Sequence, residues 1–123
     1  MAKVLLINID DKKGIRIKNI CRKLYFGYDD IEKADFGHTL GYLLGESDDD
    51  SVTPGEDFDD EMLYLVDIDG GMLNIFLAQL RKEKATVPLK AVRTDTNTGF
   101  SVYALHRELS AERDAIARGT QAH

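Results

Sequence analysis

The sequence predicts an α/β fold, a small three-layer sandwich. About four mostly parallel strands, ordered 2-1-3-4, should carry helices on both faces. Three observations predict this. Short apolar runs alternate with stretches whose apolar residues recur at helical spacing. Those helical stretches are long enough to act as crossovers between parallel strands. The chain has 123 residues, which suits one domain of ordinary size. A ferredoxin-like α+β sheet is the alternative, with an acidic stretch as the long connection between its second and third strands.

Val4-Leu5-Leu6-Ile7-Asn8-Ile9 opens the chain as a strand apolar on both faces. Asp10 and Asp11 stop it and supply caps for a helix over about 12–24. Ile17, Ile20, Cys21 and Leu24 form the apolar stripe of that helix. Gly27 offers a helix exit. A short strand is expected near 30–34. Phe36, Leu40, Leu43 and Leu44 give a second, smaller stripe, ended by Gly45.

The composition then changes. Residues 46–60 hold eight acids, no Lys or Arg, and Pro54-Gly55 at their centre. Like-charge repulsion and the turn pair predict a flexible acidic loop. Met62 to Val66 is the next buried-type strand, and Asp67 to Gly71 turns the chain. Leu73, Phe76, Leu77 and Leu80 mark a helix over about 71–84. Val87 to Thr94 reads as a strand, with Pro88 near its start where proline is tolerated. Residues 95–99 turn into a last helix over about 99–117. The domain is expected to span 1–118, with a frayed tail at 119–123. No internal repeat stands out.

Composition bounds the function. Lys and Arg total 16 against 22 Asp and Glu, a formal charge of -6. The acidic stretch alone carries -8, so the rest of the chain is +2. Nucleic acid is an unlikely partner, since no basic patch with interleaved aromatics appears. The single cysteine, Cys21, excludes an internal disulfide and any CxxC site. No apolar run is long enough for a membrane span, and the first residues turn acidic too soon for a signal peptide. The expectation is a cytoplasmic protein with no membrane association. His38, His106 and His123 lack ligand spacing and read as packing or surface residues. No metal site and no cofactor is expected. Composition is silent on oligomeric state.

In an all-parallel sheet, ligands bind beyond the carboxyl ends of the strands, where the order reverses. That lip would carry Asp10, Asp11, Asp67, Asp69, Lys90, Arg93, Thr94 and Asn97. Asp10 and Asp67 would then end neighbouring strands, and converging carboxylates suit Mg²⁺. The simpler reading is that these aspartates cap helices and start turns.

Two enzyme families share parts of this pattern. LINIDD, LYLVDID and LKAVRT resemble the strand ends of a response-regulator receiver. That implies Asp10 and Asp11 as a metal-binding pair, Asp67 as phosphate acceptor and Thr94 as switch. The receiver's later lysine is missing. LYLVDIDGGML is similar to the haloacid-dehalogenase motif, which implies Asp67 as nucleophile and Asp69 as general acid/base. Gly71 replaces that family's threonine, and its later lysine and acidic pair are missing.

PLKAVRTDTN, residues 88–97, resembles a different family, a small bacterial one catalogued as domain of unknown function 3783. The preceding strand 61–65, the Leu-rich helix 73–80 and the ending LHRELSAE fit it as well. Leu40 to Gly45 matches its short upstream LG-L-G pattern loosely. The resemblance implies no activity and directs attention to Lys90, Thr94 and Asn97. The function expected from the whole is a non-catalytic binding or regulatory domain. Its partner would be a macromolecule or effector, such as a basic protein meeting the acidic loop. The alternative is a Mg²⁺-dependent phosphate-binding or phosphoryl-transfer protein using Asp10, Asp67 and Asp69. Mimicry of nucleic acid by the acidic surface is a third option.

Overall fold

The structure is a computed structural model describing residues 1–122, with side chains described through residue 116. The tail expected at 119–123, with His123, lies outside the fully described residues. The elements run β1 (Lys3–Ile7), α1 (Asp11–Lys23), β2 (Gly27–Ile31), α2 (Leu40–Leu43), β3 (Met62–Val66), α3 (Gly70–Lys82), β4 (Leu89–Val92) and α4 (Val102–Ala122). Short 3-10 turns lie at Lys33–Asp35 and Asn97–Gly99. The chain forms two compact units. The first joins Met1–Glu32 to Asp59–Arg93; the second joins Lys33–Phe58 to the chain from Thr94 onward.

The first unit holds a four-stranded sheet in the order β2-β1-β3-β4. This is the expected order, and it excludes the ferredoxin-like arrangement. The β1–β2 and β3–β4 pairs are parallel. The central pair is not: β1 and β3 run antiparallel, with Lys3 opposite Val66 and Ile7 opposite Met62. Helical crossovers fix strand direction only within β1-α1-β2 and β3-α3-β4. The long segment between β2 and β3 lets the chain re-enter from either end.

The reversal corrects the expected layering of the crossover helices. Right-handed crossovers leaving an all-parallel centre in opposite directions put their helices on opposite faces. With β3 reversed, both helices fall on the same face. There Val4, Leu6, Leu63 and Leu65 lie under Ile17, Ile20 and Cys21 from α1 and Phe76 and Leu80 from α3. Burying each such aliphatic side chain stabilises the unit by about 1.5–3 kcal/mol. Phe26 and Phe76 meet with ring centroids 5.8 Å apart.

β2 begins earlier than expected, at Gly27, and is polar. Its charges have local partners: Lys3 reaches Asp29 at 2.6 Å and Lys18 reaches Asp30 at 2.5 Å. Pairing with β1, rather than an apolar face of its own, makes this segment a strand.

The two β-α-β halves share one local plan at constant spacing. Asn8 and Asp67 leave their strands in the left-handed region, both at φ 57°. Asp10 and Asp69 then cap the helices, accepting from Lys13 N at 2.8 Å and Met72 N at 2.9 Å. Both helices close on Schellman turns. Phe26 N donates to Cys21 O and Ala85 N to Leu80 O, each at 2.8 Å. Tyr25 and Lys84 supply the left-handed residue, at φ 63° and 55°. This structural repeat is nearly silent in the sequence because side chains outside the turns differ.

The second unit shows its own paired motif. Thr39 and Ser101 form an antiparallel bridge, and each caps the helix that follows it. Leu40 N donates to Phe100 O at 2.9 Å, and Tyr103 N to Phe36 O at 3.3 Å. Phe36, Leu40, Phe58, Val102 and Leu105 are buried. Residues 46–60 form no regular element, yet they have fixed points. Thr53 N donates to Gly37 O at 2.9 Å. Lys33 Nζ donates to Phe58 O at 3.2 Å. Gly55 lies against the Tyr103 ring so closely that a Cβ there would collide with it.

Candidate functional site

The antiparallel centre divides the expected lip. Asp10 and Asp11 follow the carboxyl end of β1, which pairs with the start of β3. Asp67 and Asp69 follow the carboxyl end of β3, beside the start of β1. The two acidic groups therefore stand at opposite ends of the sheet, and the proximity of Asp10 to Asp67 expected of parallel neighbours is absent.

Each aspartate has a local partner or position that accounts for it. Asp10 and Asp69 are the helix caps described above. Asp11 is exposed in the first turn of α1, where a carboxylate suits the helix dipole. Asp67 Oδ1 lies 3.7 Å from Arg93 Nη2, and its Oδ2 lies 3.4 Å from the Met1 amino group. At the other end, Lys13 bridges Glu61 Oε1 at 2.7 Å and Thr86 O at 2.9 Å. Among the described residues, no three His, Cys, Asp or Glu side chains gather to hold a metal ion.

The basic and polar candidates behave similarly. Lys90 Nζ donates to Val87 O at 2.6 Å, back along its own strand. Arg93 belongs with Asp67. Thr94 and Asn97 are in the second unit and satisfy each other. Thr94 N donates to Asn97 Oδ1 at 2.8 Å, and Asn97 N donates to Thr94 Oγ1 at 3.0 Å. Thr98 Oγ1 donates to Thr94 O at 2.7 Å. The TDTNT stretch is thus a self-bonded turn. The cap of α4 comes instead from Ser101, whose hydroxyl accepts from Ala104 N at 3.1 Å.

A groove of about 420 Å³ lies elsewhere in the second unit. Glu56 and Asp57 form one side, and Tyr103, His106, Ser110 and Asp114 of α4 form the other. Aromatic contacts hold the sides together. The Phe58 and His106 rings stack at 3.7 Å between centroids, only 6° from parallel. Phe36 stacks on Phe58 at 5.2 Å and meets the Tyr103 ring in a T-shaped contact at 5.9 Å. Ser110 Oγ and His106 Nε2 are 3.2 Å apart, a hydrogen bond along one helix face. Sequence reasoning passed over these residues. Their signal was present in the spacing of Tyr103, His106, Ser110 and Asp114, which places them on one stripe of the helix. His106 packs as expected of a structural histidine, and His38 likewise stacks on Tyr42 at 4.5 Å.

Comparison with known protein families adds one finding. Residues 61–116 match the family model described as a domain of unknown function (DUF3783). The match covers a little under half of the chain. It begins at β3, covers α3 and β4, and ends inside α4. PLKAVRTDTN lies within it. The DUF3783 segment therefore holds one of the two β-α-β halves and the α4 side of the groove. No curated protein and no solved structure matches the chain. No helix among the described residues is long and apolar enough to cross a membrane.

Proposed function

We propose that the chain is a non-catalytic binding domain with a regulatory role, recognising a basic protein partner through the acidic segment 46–60. The observation that carries this reading is the distribution of charge. That segment holds 8 of the 22 acids and none of the 16 bases. Asp48, Asp50 and Glu56 are exposed. Asp49 accepts from the Ser51 hydroxyl at 2.5 Å and from its amide at 3.0 Å. These bonds hold the Asp49 carboxyl below its ordinary range, the hydroxyl contributing most. A dense, exposed negative surface speeds association with a basic partner and selects against acidic ones.

The receiver-like form of the phosphoryl-transfer reading needs Asp10 beside Asp67, and in the haloacid-dehalogenase-like form Asp69 is instead engaged as the cap of α3. The opposite placement of Asp10 and Asp67, with the capping by Asp69, supports the binding reading over it.

The test neutralises Asp48, Asp49, Asp50, Glu56 and Asp57 together as Asn or Gln. Proteins captured from lysate at low salt are compared with those held by the unaltered chain. Capture of basic proteins should be lost in the variant and should fall with salt in the parent. An unchanged captured set would sink the proposal.

A further inference from the structure

The groove deserves a more specific assignment, and the paired motif of the second unit supplies the reason. Thr39 and Ser101 start α2 and α4 in the same way, but α2 ends after Leu43 while α4 continues. Neither the bridge nor the caps require that continuation. It is this added length that brings His106, Ser110 and Asp114 to the groove.

We infer that the groove is a binding site for one arginine or lysine side chain, presented by an extended basic segment of a partner protein. The inference rests on the basic-partner reading above and gives it a location. Charge complementarity commits the occupant. Glu56, Asp57 and Asp114 place carboxylates on both sides of the groove, against one guanidinium, Arg107, among the described residues of its lining. Asp57 is 3.4 Å from Lys33, and Asp114 is 3.8 Å from Arg113. These are exposed surface pairs, which a bound guanidinium can rearrange at small cost. Tyr103 and His106 line the groove and offer the aliphatic stem of the guest apolar contact. An arginine also donates in a planar fork that matches a carboxylate.

The test uses the full chain, isotopically labelled, and a short arginine–glycine peptide as the probe. Amide shifts are followed through a titration at low salt. Saturable shifts at Tyr103, His106 and Ser110 are expected. Ala111→Arg places a cation in the groove from an exposed helical position, and arginine is a good helix former. This variant, and the pair Glu56→Gln with Asp114→Asn, should each weaken binding roughly tenfold, the upper end of what two exposed charge contacts supply together. The pair Glu108→Gln with Glu112→Gln removes equal charge from exposed positions outside both the groove and residues 46–60, and should change affinity less than about twofold. An unaltered thermal transition establishes that each variant is folded.

Equal weakening by the two pairs, or unsaturated shifts spread along 46–60, would overturn the groove while leaving the basic-partner reading in place. Absence of any peptide binding, together with an unchanged captured set in the lysate comparison, would overturn both.

Discussion

Asp10 and Asp69 occupy the same position in the two β-α-β halves, and each carboxylate accepts from the amide three residues ahead. Both identities were readable from sequence as strand-end aspartates, and so was capping as their simplest role. What one residue could not reveal is that the pair repeats, because Asn8 and Asp67 reach the left-handed region with different side chains. A capping role makes a sharp prediction. Asp69→Ala should lower stability by about 1 kcal/mol, whereas Asp69→Asn should stay within a few tenths, since asparagine caps as well. Urea unfolding of the two variants measures this. Equal losses would mean that the charge, and not the cap, is what the position supplies. The groove residues were harder to see. Tyr103, His106 and Ser110 are common residue types, and their significance comes from Glu56, Asp57 and Phe58, which are distant in sequence.

At the scale of elements, legibility followed hydrophobicity. β1 and β3 are nearly continuous apolar runs, and both were placed by that pattern. β2 was displaced by a few residues because Tyr28-Asp29-Asp30 has no apolar signature. Its strand character comes from pairing with β1 and from Lys3 and Lys18, which no local pattern encodes. The direction of β3 was illegible for a related reason: the connection before it is too long to constrain direction.

The α1 stripe was read correctly, Cys21 included, and the packing gives that thiol a distinct chemistry. Burial among Ile17, Ile20 and the sheet pushes the Cys21 thiol up to about 12 from 9.0. The folded thiol therefore stays protonated where the unfolded thiol ionises. Its contribution to stability is complete below pH 9.0 and is lost as pH rises toward about 12. The slope across that window should reach about 1 kcal/mol per pH unit. Comparing the parent with Cys21→Ala by urea unfolding at about pH 8 and about pH 10, on either side of the ordinary thiol pKa, isolates it. The parent should lose more stability than the variant over that interval; parallel losses would contradict the buried assignment.

At the scale of the whole molecule, two features separate the binding account from the catalytic one. The first is the antiparallel seam, which sends the acids after β1 and those after β3 to opposite ends of the sheet. The second is the concentration of the remaining unbalanced charge in residues 46–60, outside the sheet altogether. The DUF3783 segment spans only part of this arrangement, since the acidic side of the groove lies before residue 61. We propose that the strand-end aspartates act by shaping the fold. The most direct test is an amide-resolved titration with Mg²⁺ to the millimolar range, alone and with a beryllium fluoride analogue of a phosphoryl group. The account predicts no saturable shifts at Asp10, Asp67 or Asp69. Saturable, analogue-dependent shifts at Asp67 and Asp69 would contradict it.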